Sequence, residues 1–173
     1  MEKKNFPMIV HGVQAIVLVQ KASCLLGQKI LLVQDFNDRG RGDNIRMYGV
    51  PGGGMEPLEK NPRRVMQREL FEEAALKIPL LFLKKVGCFQ KIRPNGLMND
   101  NHLFVVRLSH APPCVTNDPT EVSKVHILEL REVIQLALGG LVHEGSIRLI
   151  FHFLNGSNSG LLNESVKWQN FIF

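Results

Sequence analysis

Three glutamates, Glu69, Glu72 and Glu73, fall shortly downstream of the run Pro51-Gly52-Gly53-Gly54. On a helix advancing ~100° per residue they occupy positions i, i+3 and i+4, so their carboxylates share one narrow face. Like charges so placed repel unless something positive sits among them. A hard divalent cation is the natural partner, because Mg²⁺ takes oxygen ligands and is usually held by one or two carboxylates together with substrate phosphates. The glycines upstream can bring backbone amides or carbonyls to the same spot without steric cost. Loop and helix together would make a metal-phosphate site. The competing reading is a solvated acidic face of an amphipathic helix, which is what a charge run usually is.

The elements that must position these groups are readable around them. Asn61-Pro62 supplies an N-cap followed by proline at the first helical position, and residues 63–77 hold helix formers without Gly or Pro until Pro79. Met66, Leu70, Phe71, Ala74 and Ala75 fall on the face opposite the acids, with Val65 and Leu76 as imperfect members of the pattern. Proline and three glycines end regular structure over residues 48–54. Residues 8–20, 29–34, 80–90, 102–109 and 122–128 read as strands, and 130–138 and 146–154 as helices broken apart by Gly139-Gly140. Residues 37–44 form a polar glycine-bearing loop, and 155–160 a flexible connector to a tail containing Trp168 and Phe171. Strands on both sides of one long helix, with further helices near the end, predict an α/β layered sandwich with a mixed sheet. The whole of 1–173 is expected to be one domain, with its core at about 8–154 and a linker and tail over 155–173.

Composition narrows the class. Apolar residues make up 45% and charged residues 21%, which excludes a disordered chain. No stretch approaches the ~18 consecutive apolar residues of a membrane-spanning helix, and the opening residues offer no small-x-small cleavage site, so neither a membrane partner nor a signal peptide is expected. Cys24, Cys88 and Cys114 are far apart and form no Cys-x-x-Cys pair, which points to a reducing, cytoplasmic location. The net charge of +5 favours anionic ligands without separating a nucleic acid from a small phosphate ester.

Gly54, Lys60 and then Arg68-Glu69-Leu70-Phe71-Glu72-Glu73-Ala74-Ala75-Leu76 resemble the Nudix box, G-x5-E-x7-R-E-U-x-E-E-x-G-U with U a bulky aliphatic. Tyr48-Gly49-Val50-Pro51-Gly52-Gly53 is similar to the family's approach to that box. The resemblance covers roughly residues 13–154, with the box as its specific part, and implies a Nudix-like α/β/α sandwich. It also implies that Glu69, Glu72 and Glu73, aided by the Gly53 carbonyl, coordinate Mg²⁺ or Mn²⁺. Catalytic roles fall on Glu72, Arg68 and Glu121, with Glu72 or Glu121 activating water. Arg46, Tyr48, Gly52, Gly54 and Arg93 are the candidate substrate-binding positions, with Phe36 and Phe104 as further candidates for stacking on a base and Arg39 and Arg41 for gripping phosphate.

Two positions depart from the pattern: Lys60 stands where the family has Glu, and Ala75 where it has Gly. In the family that Glu orients the catalytic helix through the Arg matched here by Arg68, so with Lys60 the ion pair is expected to be absent unless Glu59 substitutes. The Ala75 methyl should matter little unless the backbone there needs a positive φ.

The expected activity is metal-dependent pyrophosphohydrolysis of a nucleoside diphosphate linked to another moiety. ADP-ribose or a nucleotide sugar is favoured, because residues 140–147 and Arg93-Pro94-Asn95-Gly96 resemble segments of such hydrolases. A pyrophosphatase acting on 8-oxo-dGTP-type nucleoside triphosphates is the alternative. From another class comes a catalytically silent nucleotide-binding module, motivated by Lys60 and Ala75. The partner is then a small nucleotide; RNA is less favoured because the positive charge is scattered, and a homodimer is compatible with the sequence.

Overall fold

Alternation of β-branched and small residues draws Ile9–Val19 into a strand, β1, that is buried on both faces. A computed structural model describes residues 9–20, 22, 24–35, 46–92 and 98–158 of the chain. The elements after β1 are β2 (Lys29–Asp35), β3 (Tyr48–Gly49), β4 (Gly52–Gly54), α1 (Pro62–Ala74), β5 (Lys84–Ile92), β6 (Met98–Leu108), β7 (Val122–Glu129), α2 (Leu130–Leu138) and α3 (Glu144–Asn158). The sheet runs β3-β2-β1-β6-β5, with β4 pairing β1 and β7 pairing β2. It is mixed: β1 and β6 are parallel from Ile9↔Met98 to Val19↔Leu108, and the other pairs are antiparallel.

Period-two alternation divides β1 between two cores. Val13, Ala15 and Val17 pack with Val65, Met66 and Leu70 of α1, whereas Ile16 and Leu18 pack with Leu130 and Val133 of α2 and Leu149 and Ile150 of α3. Helix α1 therefore covers one face of the sheet and α2 and α3 the other, the expected α/β/α sandwich.

Several boundaries differ from the sequence reading. The Pro-Gly stretch does not end regular structure: its short strands β3 and β4 pair with β2 and β1, because the edges of longer strands supply partners for their amides and carbonyls. Strand β6 begins at Met98, and α3 runs through residues 155–158 of the expected connector. On α1, Val65 is buried and Phe71 is 41% exposed, the reverse of the helical-wheel expectation. The helix stops at Ala74 because Ala75 turns left-handed, with φ 52° and ψ 26°. The Ala75 N–H then bonds the Phe71 carbonyl at 3.0 Å, the bond of a left-handed helix cap, and the Leu76 N–H bonds the Leu70 carbonyl at 3.0 Å.

A left-handed alanine carries a steric cost of about 1–2 kcal/mol, part of which a glycine returns through greater unfolded-state entropy. Ala75→Gly is therefore expected to stabilise the protein by about 0.5–1 kcal/mol. Denaturant unfolding with an unchanged m value checks this.

Candidate active site

Helix α1 is anchored at its N-terminus by Asn61, whose Oδ1 accepts the Arg63 amide at 3.0 Å, and along its length by Met66 and Leu70, both excluded from solvent. That packing turns the 69/73 edge of the helix toward β4. The Gly52 N–H donates to Glu73 Oε2 at 2.8 Å. At Gly53 a β-carbon would overlap the Glu69 carboxylate, so only glycine lets the strand pass this close. Glu69 and Glu73 are each 6% exposed, which rules out a solvated acidic face. Glu72 sits beside them with a partly exposed carboxylate.

Arg68 ties these acids together. Its guanidinium lies 3.0 Å from Glu69 Oε1 and donates to Glu72 Oε2 at 2.8 Å, and its Nε and Nη2 donate to the two oxygens of Glu59 at 3.2 and 3.3 Å. The expected loss of this ion pair is thus corrected. Glu59 supplies it, one residue before the exposed Lys60, because a turn in which the Glu56 amide bonds Glu59 Oε2 aims that carboxylate at the helix. The Glu56 amide and the Arg68 guanidinium hold the Glu59 carboxyl below the usual carboxylate range. Glu59→Ala is expected to lower kcat/KM by about 10–100-fold, as loss of a partner to site ligands commonly does, with Lys60→Ala near wild type. Steady-state kinetics on the two variants decides it.

Burial pushes the Glu69 carboxyl up to about 7, opposed by Arg68 and assisted by the charges of Glu72 and Glu121. Burial likewise pushes Glu73 up to about 8, against the Gly52 hydrogen bond and helped by Glu69, Asp35 and Glu121. Both values lie above the ordinary 4.5, so between pH 4.5 and about 8 the folded chain keeps protons that the unfolded chain has released. The stability these groups contribute is complete below pH 4.5 and is lost as pH rises through 7 and 8. Thermal melts with chelator should therefore show this loss between pH 5 and 8, and added Mg²⁺ should raise the melting temperature more at pH 8 than at pH 6.

The loop before β7 closes the C-terminus of α1. The amides of Asn117 and Asp118 and the Thr116 hydroxyl donate to the Glu72 carbonyl, and Asn117 Nδ2 donates to that of Phe71. This strap carries Glu121 to where its charge acts on Glu69 and Glu73. Tyr48 is half-buried, edge-on to His126 at 5.2 Å, and Arg46 is exposed just before β3. Gly54 ends β4 in open space. Phe104 is 0% exposed within the α1-side core and so is unavailable for stacking on a base, because its strand position points it under α1. Phe36, Arg39, Arg41 and Arg93 lie outside the described residues.

Two neighbours escaped the sequence reading. Asp35 follows a register shift at the end of β2, and its Oδ2 accepts a hydrogen bond from His143 Nε2 at 2.7 Å. His143 is held there because its amide bonds the Tyr48 carbonyl while the Tyr48 amide bonds that of Leu141. With the two partners 108 positions apart in sequence, no local pattern signals the pair. The carboxylates of Glu69, Glu72 and Glu73, drawn toward the Gly52–Gly53 backbone and the Arg68 guanidinium, are oxygen donors of the kind a hard divalent cation takes. No helix among the described residues is long and apolar enough to cross a membrane.

Residues 11–150 match the family model described as NUDIX domain. Over 54 residues the chain is 39% identical to "Putative hydrolase 111R" of Invertebrate iridescent virus 3, a match spanning 31% of this chain and 27% of the viral protein. Among solved structures, the NUDIX domain of Shewanella oneidensis NrtR complexed with ADP ribose superposes with a TM-score of 0.59 at 20% identity, covering 78% of this chain and 82% of that one. A bifunctional NMN adenylyltransferase/ADP ribose pyrophosphatase from Francisella tularensis, complexed with AMP and a manganese ion, gives 0.63 at 20% identity. That alignment covers 87% of this chain and 42% of the longer bifunctional one. At these identities the structural likeness speaks for the fold.

Proposed function

The chain belongs to the Nudix hydrolase family, and from that premise we propose that it hydrolyses the phosphoanhydride bond of a nucleoside diphosphate linked to a second moiety, ADP-ribose or a nucleotide sugar. The observation that carries this reading is the pair of carboxylates, Glu69 and Glu73, 6% exposed and pressed against Gly53 and the Gly52 amide. Buried like charges of this kind are tolerated when a cation joins them. Glu69, Glu72, Glu73 and the Gly53 carbonyl would hold Mg²⁺ or Mn²⁺, which when bound neutralises charge on the phosphates and supports attack by water.

In the reaction a water oxygen bonds to one phosphorus, the bridging P–O bond breaks, and two phosphate monoesters leave. Glu72, whose carboxylate is reachable from solvent, takes the water's proton, with Glu121 as the second candidate. Arg68 holds Glu69 and Glu72 in place and is itself held by Glu59. Arg46 serves the phosphates and Tyr48 the nucleoside. The ADP-ribose in the Shewanella structure and the pyrophosphatase named for the Francisella protein support this substrate class over a nucleoside triphosphate.

The test is a panel of ADP-ribose, nucleotide sugars, dinucleoside polyphosphates and 8-oxo-dGTP, with Mg²⁺ or Mn²⁺ and with chelator. Metal-dependent release of AMP from ADP-ribose, or of a nucleoside monophosphate from a nucleotide sugar, is expected. Nucleotide binding without turnover would overturn the reading.

A further inference from the structure

Away from the box glutamates, three side chains with metal-ligand chemistry converge on the same face of the sheet. The parallel register sets His11 of β1 opposite Asp100 of β6, and His102 follows two residues later on the same face of β6. One ligand atom from each lies within 4.8 Å of the others, the one such group of His, Cys, Asp and Glu among the described residues. His11 Nδ1 is 3.5 Å from Asp100 Oδ2, and the two imidazole rings lie nearly parallel, 14° apart, with centroids 6.3 Å apart.

A second observation points to a missing partner. The Nδ1 of His102 is buried with no hydrogen-bond partner, and buried polar atoms are rarely left so. Cys88, opposite His102 on β5, donates its S–H to Asp100 Oδ1 at 2.5 Å. That bond holds one carboxylate oxygen and leaves the other facing His11, the way a group behind a ligand orients it.

We propose that His11, Asp100 and His102 form a second metal site, which takes a borderline divalent transition-metal ion such as Zn²⁺ in place of the hard cation suited to the glutamates. Two imidazoles and one carboxylate are donors that Zn²⁺ and Fe²⁺ accept and that Mg²⁺ and Ca²⁺ do not favour, and three protein ligands leave a position open for water. Its surroundings are also distinct: burial and the charges of Lys85, Asp100 and His11 act on His102, whereas burial with Arg68, Glu72, Glu121 and Asp35 acts on Glu69 and Glu73.

The position gives an ion here a structural consequence. The His11 carbonyl accepts the Met55 amide at 2.9 Å, and Gly12 pairs with Gly54. An ion bridging His11 to β6 would therefore brace the strand edge from which the chain departs toward α1. Binding to the folded state alone raises the melting temperature as the ion concentration exceeds its dissociation constant.

The experiment is a Zn²⁺ titration of the tag-free 173-residue chain by calorimetry in a Glu72→Gln/Glu73→Gln background, which weakens the glutamate site and separates the two centres. One Zn²⁺ per chain is expected, with a rise in melting temperature that Mg²⁺ does not reproduce. His11→Ala, at an exposed position that does not threaten folding, should weaken binding by about 100-fold or more, beyond the 10–100-fold typical of losing a group that merely supports a ligand. His102→Ala should do the same, and Co²⁺ should give visible absorption bands that both variants lose. Absence of Zn²⁺ binding in this background, or binding indifferent to His11→Ala, would overturn the proposal. Because the readout is metal binding and not turnover, it stands or falls apart from the hydrolase reading.

Discussion

Glu73→Gln should lower kcat by about a thousandfold while raising the thermal stability of the metal-free protein at alkaline pH. The two effects have one cause. The Glu73 carboxyl is 6% exposed and is pushed up to about 8 by burial, so above that pH the folded chain must carry a desolvated charge with Glu69, Asp35 and Glu121 nearby. A glutamine keeps the shape, and its carbonyl oxygen can still accept the Gly52 amide, but the charge is gone. The same charge is what a divalent cation needs, and charge stabilisation by a bound ion contributes several kcal/mol to such reactions, about 4 kcal/mol corresponding to the thousandfold. Kinetics with Mg²⁺ and melts with chelator at pH 6 and pH 9 separate the two. A variant that lost activity and stability together would mean that Glu73 is a packing residue.

The second large effect falls on three adjacent glycines that look alike in the sequence. A β-carbon at Gly52 would strike the Val13 carbonyl oxygen and come within 2.9 Å of the Gln14 Cα, both backbone atoms of the central strand that cannot step aside. Gly52→Ala is thus expected to cost about 2–3 kcal/mol, the upper part of the range for forced overpacking. For a chain of this length that is roughly a 5–10 °C fall in melting temperature. Gly54→Ala places its methyl where nothing lies within 4 Å and should stay within about 0.5 kcal/mol of wild type. Calorimetric melts of the pair check the contrast, since equal effects would contradict the close pairing of β4 against β1.

Much of this was legible before any coordinates. The start of α1 rests on Asn61 and Pro62, whose roles are local, and the shared face of Glu69, Glu72 and Glu73 follows from helical period alone. The long strands announced themselves by composition and period. Short strands did not, because β3 and β4 exist through partners on β2 and β1 and have no pattern of their own to display. A helical wheel places Phe71 in the core because it ranks hydrophobicity, whereas the sheet beneath α1 accepts Val65, Met66 and Leu70 and leaves Phe71 outside, with the Lys77 ammonium 5.6 Å from its ring centroid.

Residue types and spacings within about one helical turn or one strand thus determined the long strands, the acidic helix, the α/β class and the family resemblance. The tertiary structure decided which charges are buried and who meets whom. It set Glu59 in place of Lys60 on Arg68, gave Ala75 a left-handed backbone, brought Asp35 to His143 across 108 residues, and gathered His11, Asp100 and His102 from two parallel strands. The reason is physical: local periodicity is set by each segment's own backbone geometry, but strand register and helix docking are settled by the packing of the whole core. A one-residue shift between β1 and β6 would leave every element intact and dissolve the histidine cluster.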